Sequence, residues 1–150
     1  MIPTRHESAR ALKPAAIVDT NVVVAGLPIE GNPLPVAAIL QGMLKGELRF
    51  VASAALLDEY RDVLDRPPLR KLHGLGDEAL RALLARIEEG AEIVEPAATK
   101  AAAPDPGDQM LWDLLAGRAD AVLVTSDKLL LRDRSMRGRV VTPDAWLALA

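Results

Sequence analysis

The 150-residue chain contains no cysteine. Disulfides, thiolate catalysis and cysteine zinc sites are thereby excluded, and the absence fits a reducing compartment. Histidine is nearly as scarce: the only two, His6 and His73, fall in segments that read as loops. Neither has a partner at ligand spacing, which disfavours zinc. No stretch approaches the ~20 apolar residues of a membrane span. The N-terminus carries Arg5, His6, Arg10 and Lys13 but lacks the apolar run of a secretory signal. A cytoplasmic protein is expected. No Ser-His-Asp arrangement stands out, and Gly26 to Gly31 lacks the lysine and spacing of a phosphate-binding P-loop. Repeats, linkers and low-complexity tracts are also missing.

Half of the chain is apolar, enough to bury a core in one ordinary domain. Residues 1 to 14 read as a loose polar leader and residues 15 to 150 as the domain. A net charge of −3 argues against a protein that holds nucleic acid by bulk electrostatics alone. Local distribution differs from the average. Lys128, Arg132, Arg134, Arg137 and Arg139 crowd one stretch interrupted only by Asp133, which is either a basic patch or an ordinary solvated surface.

Two short apolar runs lack alternation, Ala15-Ala16-Ile17-Val18 and Ala121-Val122-Leu123-Val124, the pattern of strands buried on both faces. Helical spacing at Val36, Ala37, Ile39, Leu40, Met43 and Leu44, closed by Gly46, precedes a strand at Leu48 to Ala52. Ser53 caps a helix reaching Leu64 and stopped by Pro67-Pro68. Gly76 to Gly90 is an amphipathic helix with Leu80, Leu83, Leu84 and Ile87 on one stripe. A strand at Glu92 to Glu95, an Ala/Pro loop, a helix from Gly107 to Gly117, Val140-Val141 and a helix after Pro143 complete the chain. Alternation of strands and helices predicts an α/β fold with a mainly parallel sheet covered on both sides.

Four acids border these apolar elements: Asp19, Glu59, Asp108 and Asp127. In a parallel sheet, acids placed immediately after buried strands project toward one rim, and Asp19 and Asp127 are so placed. Glu59 flanks the inward stripe Leu56, Leu57, Tyr60, Val63 and Leu64, whereas Asp58 and Asp62 point away. Asp105 suits an N-cap with Pro106 in the first turn. Asp108 would fall in that first turn, where the helix dipole also favours an acid. Singly, each has an ordinary structural role open to it. As a set they would repel one another and raise their pKa values unless a cation neutralises them. Magnesium or manganese suits such a sparse oxygen-donor cluster and would support phosphoryl chemistry without a protein nucleophile.

Four groups of residues follow one another along the chain: Ile17-Val18-Asp19-Thr20-Asn21-Val22, Glu59-Tyr60 with Val63-Leu64 and Arg66-Pro67, Asp105-Pro106 with Asp108, and Val124-Thr125-Ser126-Asp127-Lys128 with Leu130-Leu131. In order and separation they resemble the PIN-domain ribonucleases, including the toxins of bacterial toxin-antitoxin pairs. The resemblance covers about residues 15 to 146. It implies a three-layer α/β/α fold, a magnesium- or manganese-dependent endoribonuclease, an RNA substrate, a homodimer and a cognate antitoxin. By motif, Asp19, Glu59, Asp108 and Asp127 match the acidic quartet, with Asp105 competing for the third place. Thr20, Asn21, Thr125 and Ser126 look like supporting groups around it, and Lys128, Arg132, Arg134 and Arg137 like RNA contacts. Two other readings are a PIN-like module that binds RNA or protein without turnover, and a phosphatase with an aspartyl nucleophile. The latter usually wants an acid two residues further on, where this chain has Asn21.

Overall fold

The computed structural model describes residues 14–29, 31, 34–136 and 138–149. Five parallel strands form the sheet: β1 (Ala15–Val18), β2 (Phe50–Ala52), β3 (Glu92–Ile93), β4 (Ala121–Val124) and β5 (Val140–Val141), in spatial order β3-β2-β1-β4-β5. Among the described residues they alternate with eight α-helices: α1 (Thr20–Ala25), α2 (Leu34–Lys45), α3 (Ala54–Asp65), α4 (Pro67–His73), α5 (Asp77–Gly90), α6 (Gln109–Gly117), α7 (Lys128–Arg132) and α8 (Pro143–Ala148). The architecture is the expected three-layer α/β/α sandwich. None of the described helices is long and apolar enough to cross a membrane.

Every residue of β1 is buried, as its unbroken apolar run requires for a central strand with helices on both faces. Val18 pairs with Val124 in β4 and Ile17 with Val51 in β2. The chain progresses outward from β1 to β3 on one side, then returns to β4 and β5 on the other. Strand order therefore reverses between β1 and β4, and in open parallel sheets the crevice outside the carboxyl ends at such a reversal is where ligands bind.

Helix α6 packs on β1 and β4, while α2 packs on α1, α5 and α8. Trp112 of α6 and Trp146 of α8 are buried, as are Ile39, Leu40 and Met43 of α2. Each aliphatic side chain so buried contributes about 1.5–3 kcal/mol. Gly26 lets α1 end against α2, since a Cβ there would meet the Val36 carbonyl oxygen at 2.5 Å. Gly46 closes α2 in the left-handed region, with φ 71°.

Several sequence expectations are corrected. Pro67-Pro68 ends α3 but also opens α4, because proline at the first helical turn lacks only an N–H that would be unpaired anyway. His73 consequently lies in a helix rather than a loop. Its ring bonds the Leu64 carbonyl at 2.9 Å and accepts from the Leu75 amide at 3.0 Å, stitching α4 to its neighbours. β2 starts at Phe50 rather than Leu48, and β3 ends at Ile93 rather than Glu95. The segment before α6 is a 3-10 turn over Pro106–Asp108, with the α-helix starting at Gln109 rather than Gly107. Of the proposed leader, residues 1–13 lie outside the described residues.

Candidate active site

Asp19 follows β1 directly and occupies the N-cap position of α1, yet its side chain makes no capping bond. It instead faces β4. Its backbone N–H donates to the Val124 carbonyl at 3.0 Å, continuing the ladder one residue past the strand, and its Oδ2 accepts from the Thr125 hydroxyl at 2.7 Å. The residue is only 6% exposed. Burial raises its pKa, an effect opposed by the hydrogen bonds from Thr125 and the Thr20 backbone and reinforced by the negative charges of Glu59 and Asp127.

Thr125 is fully buried and uses its hydroxyl twice, because Oγ1 also accepts from the Asp127 N–H at 3.0 Å. Asp127 then caps α7 through Oδ1, which accepts from the Leu129 N–H at 2.8 Å. Ser126 and Lys128, on either side, are exposed. The turns after the two central strands are thus joined through one hydroxyl.

Glu59 arrives from α3. Ser53 caps that helix by accepting from Leu56 N at 3.2 Å, and burial of Leu56, Tyr60 and Leu64 sets its rotation, leaving Glu59 half-buried at the edge of the apolar stripe. The Thr20 hydroxyl donates to Glu59 Oε2. The next residue, Tyr60, is fully buried and donates its hydroxyl to the Val18 carbonyl. Burial and the charges of Asp19 and Glu59 push its pKa up, so the phenol stays protonated. Helical spacing puts Tyr60 on the inward face and the motif pairs it with Glu59, but neither shows the bond of its hydroxyl to Val18.

Asp105 and Asp108 divide their roles. Asp105 is exposed and caps the 3-10 turn, accepting from Gly107 N at 2.8 Å. Asp108 stands at the N-cap of α6 without a side-chain capping bond. Its pKa is pushed up to about 6, first by burial and then by the charges of Asp19, Asp105, Asp127 and Glu59. Asp108 thus lies within electrostatic reach of Asp19, Asp127 and Glu59. Among the described residues, however, no three acidic or histidine side chains are arranged as a ready-made set of metal ligands. The carboxylates interact as charges without converging on one point.

Asn21 is exposed and lines, with Thr20, Val24, Ile29, Val63 and Leu72, a largely apolar cleft of about 500 Å³ beside the rim. Arg132 and Arg134 are exposed beyond Asp127. Arg137 lies outside the described residues, and Arg139 does not join a free patch. Its guanidinium donates to the carbonyls of Arg118 at 2.6 Å and Ala121 at 2.9 Å.

In kind, though not in a formed arrangement among the described residues, the donors are those a hard divalent cation takes. The set consists of oxygen atoms only, it contains two acids whose ionisation is opposed by burial and by their neighbours, and neutralisation by a cation removes that opposition. Magnesium commonly binds through one or two carboxylates and keeps several waters, so a complete protein cage is unnecessary.

The PIN domain family model matches residues 15–129, more than half of the chain, and runs from β1 into the first turn of α7, including all four acids. No curated protein matches the sequence. The chain belongs to the PIN-domain family.

Proposed function

We propose that this PIN-domain protein is a magnesium- or manganese-dependent endoribonuclease that hydrolyses RNA phosphodiester bonds, and that it is the toxin of a toxin-antitoxin pair. The observation that carries the chemistry is the linking of three acids by two hydroxyls at the reversal of strand order, Thr125 to Asp19 and the Asp127 N–H and Thr20 to Glu59, with Asp108 within reach of their charge. Such a cluster is costly without a cation, and a family built on nucleases gives it a use.

In this reading Asp19, Asp108 and Asp127 would hold the ion, with Glu59 beside them. A bound magnesium or manganese supplies charge neutralisation and Lewis acidity toward a phosphodiester. The protein does the rest. Thr125 keeps one oxygen of Asp19 occupied and its carboxylate oriented toward the rim. Glu59, steadied by Thr20, is the group to orient an attacking water and accept its proton. Asn21 would form part of the site wall, while Lys128, Arg132 and Arg134 would meet RNA phosphates.

Incubation with RNA over a manganese titration, with and without chelator, tests the activity. Metal-stimulated cleavage that disappears in chelator is expected; RNA binding without cleavage would replace the nuclease by a binding module, and release of phosphate from a small phosphoester alone would favour a phosphatase. The toxin role, the cognate antitoxin and the homodimer rest on the resemblance. Induced expression should arrest growth and a co-expressed antitoxin should relieve it; unaffected growth argues for RNA processing instead.

A further inference from the structure

We infer that Tyr60 is a positioning residue of the acidic site: by holding the carbonyl of Val18 it sets Asp19 and Glu59 at a fixed separation across the rim. The inference rests on the nuclease reading of that rim. Its basis is a pair of cross-links between two short stretches of chain. Tyr60, immediately after Glu59, donates to the carbonyl of Val18, immediately before Asp19. Thr20, immediately after Asp19, donates back to Glu59. The two acids therefore sit between paired side-chain bonds running in opposite directions.

The geometry makes the tyrosine effective. A helix is stiff over one turn, so fixing Tyr60 against the strand end also fixes the backbone position of Glu59. On its other side Asp19 is held to β4 through Thr125, leaving the α3 contact to decide where Glu59 stands relative to it. Ring burial alone would keep α3 on the sheet, as Leu56 and Leu64 do. The hydroxyl adds direction, since a hydrogen bond weakens steeply with misalignment whereas apolar packing is tolerant. Tyr60 is fully buried and touches neither substrate nor metal. It acts through Asp19 and Glu59.

Groups that orient metal-holding side chains typically contribute 10- to 100-fold to metal affinity or activity. The test uses the full chain and compares Tyr60→Phe, which keeps the ring, with Leu64→Val, a buried change one turn along the same helix that leaves both cross-links intact. Calorimetric manganese binding, kcat and KM on RNA, and melting temperature are measured for each. Tyr60→Phe is expected to lose about tenfold or more in manganese affinity and kcat with KM for RNA unchanged, while Leu64→Val loses stability alone. Equal behaviour of the two variants, or a Tyr60→Phe chain that does not fold, assigns the tyrosine to the core and overturns the inference. Wild-type protein that binds manganese without cleaving RNA, with weaker binding in Tyr60→Phe, would uphold Tyr60 and overturn the nuclease reading. Wild-type protein that neither binds manganese nor cleaves overturns both.

Discussion

The Thr125 hydroxyl donates to Asp19 Oδ2 at 2.7 Å, joining residues 106 positions apart. Thr125 Oγ1 in turn accepts from the Asp127 N–H, so two acids from different strand ends are registered by one small side chain. Thr125→Val preserves shape and removes the hydroxyl, leaving a buried carboxylate oxygen and an N–H without that partner. A loss of about 1–3 kcal/mol is expected, together with reduced cleavage. Urea unfolding provides the measurement, and wild-type stability in this variant would show that the link contributes nothing.

Asp19→Asn keeps an oxygen for Thr125 and removes the charge that burial and two neighbouring acids oppose. Metal-dependent cleavage should fall by about 100-fold or more, comparable with losing a preorganised electrostatic contact. The melting temperature without metal should hold or rise. Retained activity would exclude Asp19 from the chemistry.

Asp108 gives the metal-free protein a characteristic pH response. Its carboxyl is pushed from 3.8 to about 6 in the fold, so between those values the native state holds a proton that the unfolded chain has released. Its stabilising contribution is complete below pH 3.8 and is lost as pH rises through 6. In chelator, wild type should therefore lose stability relative to Asp108→Asn from pH 4 to 7, and added manganese should restore it. A constant difference between the two proteins across that range would contradict the coupling.

At the opposite rim, Glu92 accepts from Arg49 Nε at 3.0 Å and from Arg118 Nη2 at 2.8 Å. These bonds hold its carboxyl down at about 2 against an ordinary 4.5. This contribution has the reverse sign: it is present above pH 4.5 and lost as pH falls through 2. With Glu92 partly exposed, Glu92→Gln should cost about 1 kcal/mol or less and leave cleavage untouched. Impaired cleavage would mean that the two rims communicate.

Arg132 and Arg134 are expected to meet phosphate rather than bases. Replacing either by alanine should weaken binding uniformly across RNA sequences and lower the salt dependence by about one unit of slope. An unchanged slope removes them from the interface.

Much of this fold is legible in local pattern because burial on two faces, helical periodicity and capping are short-range properties. The unalternating runs before Asp19 and Thr125 forecast the two central strands, and Ser53 marked the start of α3. Pro67-Pro68 reads as a stop, but proline can also begin a helix, and only the packing of α4 and the His73 bonds shows that the pair does both. The acids are visible as residues next to apolar segments, and its place at the helix start favours Asp108 over Asp105, but spacing does not show what each experiences. One caps a turn and the other is left uncapped among like charges, a difference that depends on the backbone around them.

Pattern by itself determined the class of fold and which carboxylates border the strands, because those depend on which residues must leave water. Tertiary structure decided what those carboxylates experience. The reversal between β1 and β4, the hydroxyls of Thr20, Tyr60 and Thr125, and the shift at Asp108 all arise from segments brought together in space. Hydrogen bonds and charge coupling depend on separation in three dimensions, and no periodicity along the chain encodes it.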